Sequence, residues 1–217
     1  RIFHTGGDDI IHTTYKKMHA EQAVANNNDQ PQRDKGQRNQ FFQAKRTFHH
    51  FPAAQTHGRQ FAVMYDLSGV PDDGNLYNKL INDWEYLVQN YQMTTQGTYL
   101  KQEDLPVIAL WGIGFNERGL NPDTFAQIID YFQSSAPPAY RAYVVGGVPG
   151  EWRTLTGDSE TDARWAQVYR SLDMISPWTV GRYTNNTEVD NWKNQRIVPD
   201  MAAAAASGAD YMPVIWP

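Results

Sequence analysis

Phe61-Ala-Val-Met-Tyr-Asp-Leu-Ser-Gly69 is the stretch that decides the fold. Four apolar residues run straight into Tyr65 and Asp66, and a Ser-Gly pair then breaks the chain. A short apolar run bounded by turn residues reads as a strand buried on both faces. A polar pair at the C-terminal end of such a strand is where α/β enzymes carry their chemistry. The same design returns in Val107-Ile-Ala-Leu-Trp-Gly112, Ala142-Tyr-Val-Val-Gly-Gly147, Met174-Ile-Ser-Pro-Trp178 and Tyr211-Met-Pro-Val-Ile-Trp216. Strands that each end in an aromatic, acidic or glycine residue predict one shared rim.

Between the strands the apolar period changes from run to helix. Tyr77, Leu80, Ile81, Trp84, Leu87, Val88 and Tyr91 recur at three and four, which predicts an amphipathic helix. Asn121-Pro122 is a helix start, with Asn as cap and Pro in the first turn, followed by Phe125, Ile128, Ile129 and Phe132 on the buried face. Ser159-Glu-Thr-Asp162 opens a third helix carrying Trp165, Val168, Tyr169 and Leu172. The alanines 202–206 belong to a fourth, stopped by Gly208. Strand alternating with helix calls for a parallel sheet with right-handed crossovers. Two architectures fit: a five-stranded doubly wound sheet, or part of an eight-stranded barrel, which typically takes about 250 residues.

Residues 1–57 form a separate segment of loop and weak helix that carries all six histidines: His4, His12, His19, His49, His50 and His57. Their spacing matches no metal-binding pattern, and residues 26–36 are polar and aperiodic. Residues 58–217 hold the βα repeats. The net charge of −5 argues against an electrostatic grip on nucleic acid, and no apolar stretch reaches the roughly 20 residues of a membrane span. With no cysteine there is no disulfide, thiolate metal site or thiol nucleophile. Gly-Ile-Gly at 112–114 lacks the rest of a phosphate loop, and no Gly-x-Ser-x-Gly elbow is present. Asn185-Asn-Thr187 fits a glycosylation acceptor. Residues 1–20 lack the layout of a signal peptide, so a secreted protein would be represented here by a mature or partial chain.

The strand ends, taken in order, resemble one family. Phe61-Ala-Val-Met-Tyr-Asp-Leu-Ser-Gly69, Leu110-Trp-Gly-Ile-Gly-Phe115, Gly146-Gly-Val-Pro149 with Trp152-Arg153, Ser176-Pro-Trp-Thr-Val-Gly-Arg-Tyr183 and Asp210-Tyr-Met-Pro-Val-Ile-Trp-Pro217 are similar to glycoside hydrolase family 99. That family comprises endo-acting α-mannosidases and α-mannanases. The resemblance implies a (β/α)8 barrel that is incomplete in this sequence, and retaining cleavage of internal α-mannosidic bonds without a cofactor or required metal. It further implies an oligosaccharide or polysaccharide substrate and a location outside the cell, in the periplasm or in the secretory lumen.

The family's chemistry, as the resemblance implies it, uses two glutamates three positions apart. One acts as base toward the sugar 2-hydroxyl and the other protonates the leaving oxygen, unlike the commoner nucleophile-and-acid pair. The glutamates here are Glu21, Glu85, Glu103, Glu117, Glu151, Glu160 and Glu188, and no two are three apart. A barrel short of strands exposes sheet edges, which proteins avoid, so the expectation is that this sequence is part of a longer protein. A short carbohydrate-binding relative without the catalytic pair is the alternative.

The expected ligand-binding residues are Tyr65, Asp66, Trp111, Trp152, Arg153, Trp178, Arg182, Tyr183 and Trp216. Their rings offer stacking faces, and their carboxylate and guanidinium groups orient hydroxyls. The competing roles are structural: Asp66 capping a loop, the tryptophans filling core, and the arginines in ordinary ion pairs. From chemistry alone, Asp66 and Glu151 form the best acid/base pair, since both lie just beyond strand ends.

Overall fold

The computed structural model describes residues 54–67, 70 and 73–215. Parallel strands β1 (Val63–Asp66), β3 (Leu105–Trp111), β4 (Tyr143–Val148), β5 (Met174–Pro177) and β6 (Asp210–Tyr211) lie side by side in chain order. A two-residue strand, β2 (Lys101–Gln102), turns back antiparallel onto the start of β3. Helices connect them: α1 (Leu76–Tyr91), α2 (Pro122–Asp130), α3 (Arg164–Arg170), α4 (Asn186–Trp192) and α5 (Val198–Ser207). The chain is therefore α/β with a parallel sheet, as the alternation of runs and amphipathic stretches predicts.

The sheet has two unlike faces. Tyr65, Ile108, Leu110, Val144, Val148 and Ile175 point one way and meet Leu80, Trp84, Ile128, Phe132, Trp165, Val168 and Ala204 from the helices in one buried cluster. Trp84 spans this layer, its indole N–H donating to the Tyr140 carbonyl at 2.9 Å. The alternate residues Val107, Tyr143, Val145 and Met174 gather on the opposite face with Ala62, Ala109 and Met212. Among the described residues no helix contributes to that second cluster. Register runs across this face as rows: Met64–Ala109–Val145–Met174–Asp210, and above it Asp66–Trp111–Gly147–Ser176.

Buried hydroxyls fix the register where strands begin. The Tyr99 phenol accepts from the Val63 amide at 3.1 Å and donates to the Val107 carbonyl at 2.8 Å, tying β1 to β3. The Tyr143 hydroxyl shares its one proton between Asp210 at 2.7 Å and the Asp173 carbonyl at 3.1 Å, tying β4 to β5 and β6. Burial raises both phenols well above the ordinary tyrosine range, so they stay protonated and able to donate.

The helix ends follow the local chemistry. The Asn121 side chain accepts from the Asp123 amide with Pro122 in the first turn. The carboxylate of Asp162 accepts from the Arg164 amide at 2.9 Å. Gly208, at φ 81°, closes α5 in the left-handed conformation that only glycine adopts without cost. The predicted fourth helix is larger than the alanine run: α4 leads through a wide turn at Lys193–Ile197 into α5. Among the described residues, no helix is long and apolar enough to cross a membrane. The predicted N-terminal loop and helix lie outside the described residues apart from the segment next to β1, where His57 is exposed.

Candidate functional site

The C-terminal ends of the parallel strands carry the densest chemistry, on the face the helices leave bare. Alternation puts Asp66 opposite in sense to Tyr65 and in register with Trp111, and Trp111 is in register with Gly147. Gly147 is what makes room for the indole, because a Cβ there would stand 2.0 Å from Trp111 Cε3. Lying over this glycine, the Trp111 ring reaches Trp178 edge-on, with centroids 5.4 Å apart and planes at 75°. Trp178 is 36% exposed, a large apolar ring presented at a rim. Ser176, in register with Gly147, completes a row of acid, indole, bare backbone and hydroxyl.

Backbone bonds hold this rim beyond the strand ends. The amides of Gly112 and Ile113 both donate to the Gly147 carbonyl, at 2.9 and 3.0 Å. The Leu67 amide donates to the Trp111 carbonyl at 2.8 Å, and the Trp178 amide to Val148 at 2.9 Å. Trp111 and Trp178 are thus fixed by ladder geometry rather than by free loops.

A second polar group binds the loop after β4 to the turn and helices that follow β5. Asp158 accepts from the amides of Gly150 and Glu151 at 3.0 and 3.1 Å and pairs with Arg182. Glu151 accepts from the Thr156 hydroxyl at 2.8 Å and pairs with Arg196 at 3.0 Å. These contacts, the Thr156 hydroxyl first, hold the Glu151 carboxyl below the ordinary range. Beneath them Arg153 meets Asp200 at 2.6 Å. Burial raises the Asp200 carboxyl, against the pull of Arg153.

The expected ligand residues therefore divide. Asp66, Trp111 and Trp178 share one rim. Tyr65 instead faces the helices and donates to Asp83 at 2.8 Å, since the two-residue period of a strand sends neighbours to opposite faces. Trp152, 1% exposed, lies in the helix-side core with its ring 6.3 Å from Tyr169. Arg153 serves the buried Asp200, Arg182 serves Asp158, and Tyr183 is half-buried beside it. Trp216 lies outside the described residues. Of the expected acid/base pair, Asp66 stands on the rim while the Glu151 carboxylate is engaged by Thr156 and Arg196.

Sequence reasoning missed Ser176, Asp158 and Trp192. The alternation Met174, Ser176, Trp178 along β5 is the signal that places the first. Asp158 belongs to an acidic run with Glu160 and Asp162 that in sequence reads as solvated loop and helix-start charge, and Trp192 sits in a stretch without apolar period. Among the described residues, no group of three His, Asp or Glu side chains is arranged to hold a metal ion. No protein-family model matches the chain, and a search of curated proteins returned no match.

Proposed function

We propose that these residues form the sugar-binding wall of a glycoside hydrolase-like protein of the endo-α-mannosidase type, whose ligand is a mannose-containing glycan or mannan. The observation that carries this reading is the row Asp66–Trp111–Gly147–Ser176 with the Trp178 edge beside it. A pyranose has an apolar C–H face and a belt of hydroxyls. An indole lying over bare backbone suits the first, and a carboxylate at its side accepts hydrogen bonds from the second.

Strands in chain order and helices gathered on one face favour an arc of a (β/α)8 barrel. A doubly wound sheet reverses its strand order at a switch point and carries helices on both faces. In this reading the bare face is lumen wall and the Asp66–Trp111 end is the mouth.

The residues of this chain bind and orient the sugar. Cleavage in the manner of the family needs a glutamate pair that this sequence does not contain. The engagement of Glu151 by Arg196 and Thr156 favours, as a second reading, a carbohydrate-binding relative without cleavage. Titration of the purified protein with α-linked manno-oligosaccharides, followed by tryptophan fluorescence, tests both readings at their common point. Saturable binding that disappears in Trp111→Ala is expected, and no saturable signal with any of them would overturn the proposal. Release of oligosaccharide from α-mannan then separates hydrolase from binder.

A further inference from the structure

The segment that follows β5 is built unlike the other described helices. From Gly181 to Pro199 no residue is buried, although the stretch holds all of α4 and the wide turn Lys193–Ile197. By contrast α1, α2 and α3 each bury an apolar stripe, and α5 buries Asp200 and Ala204. Burial is what normally keeps a helix as short as α4 in place, since on its own such a helix is marginal in water.

Charge holds this segment down instead, and its ties reach one loop, residues 150–158. Arg182 pairs with Asp158, and Arg196 with Glu151 at 3.0 Å. The Gln195 carbonyl accepts from Arg153 Nη2 at 3.4 Å. Both arginines stand by the Trp192 ring, each guanidinium carbon 5.9 Å from its centroid. The two ion pairs are partly solvated, and pairs of that kind are weak and screened by salt. The closed contact also carries a cost. Trp192 Nε1–H and Arg196 Nε–H are sealed from solvent with no acceptor among the described residues, and opening would hydrate both.

The ends of the segment are made to bend. Gly181 is exposed at φ 76°, a backbone conformation that favours glycine, and a Cβ on it would meet nothing within 4 Å. At the other end the wide turn interrupts the helical ladder just before α5, which Asp200 and Ala204 anchor in the body. Beneath the segment lies Gly150. A Cβ there would stand 3.4 Å from Trp192 Cζ2 and 2.7 Å from the Trp178 carbonyl oxygen, so the indole rests against backbone that itself adjoins the rim.

We infer that residues 182–197 are a strap, clasped by Arg182–Asp158 and Arg196–Glu151, that opens locally as a unit and uncovers the Gly150 flank of the rim. The device does not depend on what the rim binds. Its test is hydrogen exchange of the whole protein, read by mass spectrometry with α1 as the internal reference. Amides 189–197 exchange together, at least about tenfold faster than those of α1. Raising salt to about 1 M, where the Debye length is about 3 Å, speeds the strap about threefold further and leaves α1 unchanged. Glu151→Gln, which removes the charge facing Arg196 and keeps the shape of the side chain, does the same at low salt. Exchange of 189–197 as slow as that of α1, or fast exchange indifferent to salt, overturns the strap. A Glu151→Gln protein with no change in either segment overturns the clasp. If α1 accelerates in that variant as well, the whole fold has loosened, and the salt response of the parent decides.

Discussion

At the scale of single residues, Gly147 and Trp111 are one device. The missing side chain of the glycine lets the indole lie over the backbone, since any Cβ would occupy the ring's place. Gly147→Ala is expected to displace the indole, at about 1–3 kcal/mol of stability, with loss of the near-UV circular dichroism of the Trp111–Trp178 pair and of saccharide affinity. Arg153 and Asp200 form a device of another kind. Asp200 is 2% exposed, and removing the Arg153 guanidinium leaves its carboxyl buried without its nearest counter-charge. Arg153→Ala is expected to cost about 3 kcal/mol in urea denaturation, the lower end for breaking a buried pair because the arginine is partly solvated. A change under a few tenths would show that Asp200 is protonated already.

At the scale of elements, the loop after β4 is tied to the helices after β5 by Glu151–Arg196 and Asp158–Arg182. The folded-state carboxyl of Glu151 is depressed, so its stabilisation is present above the unfolded value near 4.5 and fades as pH falls through the folded one. Asp83, Asp173 and Asp200 have raised carboxyls and act in the opposite sense, destabilising as pH rises through their folded values. Comparison with Glu151→Gln isolates the first effect. The difference in melting temperature between parent and variant is expected to shrink on going from pH 6 to pH 3, with about 1 kcal/mol or less at stake for a partly solvated pair.

The same elements show what could be read in advance. Helices α1, α2 and α3 were legible because each buries an apolar stripe, and α2 and α3 also open on Asn or Asp chemistry. Helix α4 was not, for it has no buried residue and so leaves no period in the sequence. The β2–β3 turn was equally silent. Glu103 and Asp104 take positive φ values of 52° and 64° without the glycine that normally marks such a turn. At the site, strand ends were legible, but a side chain's face was not. Tyr65 and Asp66 are neighbours in sequence and opposites in the sheet, and Trp152 looks like a rim residue until the loop folds it under.

At the scale of the whole molecule, the two faces of the sheet predict unequal sensitivity. Leu110, fully buried under the helices, is expected to cost about 3 kcal/mol as Leu110→Ala. Ala109, its half-buried neighbour on the bare face, is expected to change stability by no more than about 0.5 kcal/mol as Ala109→Ser. Equal sensitivity at both positions would mean that the bare face is as tightly packed as the covered one.

The Tyr99 phenol has a reach that its position conceals. By bridging Val63 and Val107 it chooses which residue of the first strand stands beside which of its neighbour, and a slip by one would turn every side chain over. Three residues further along, that choice sets which side of the sheet the Asp66 carboxylate occupies. A hydroxyl at the closed end thus acts as the alignment key for the open one, and sequence drift at Tyr99 would misplace an acid it never touches.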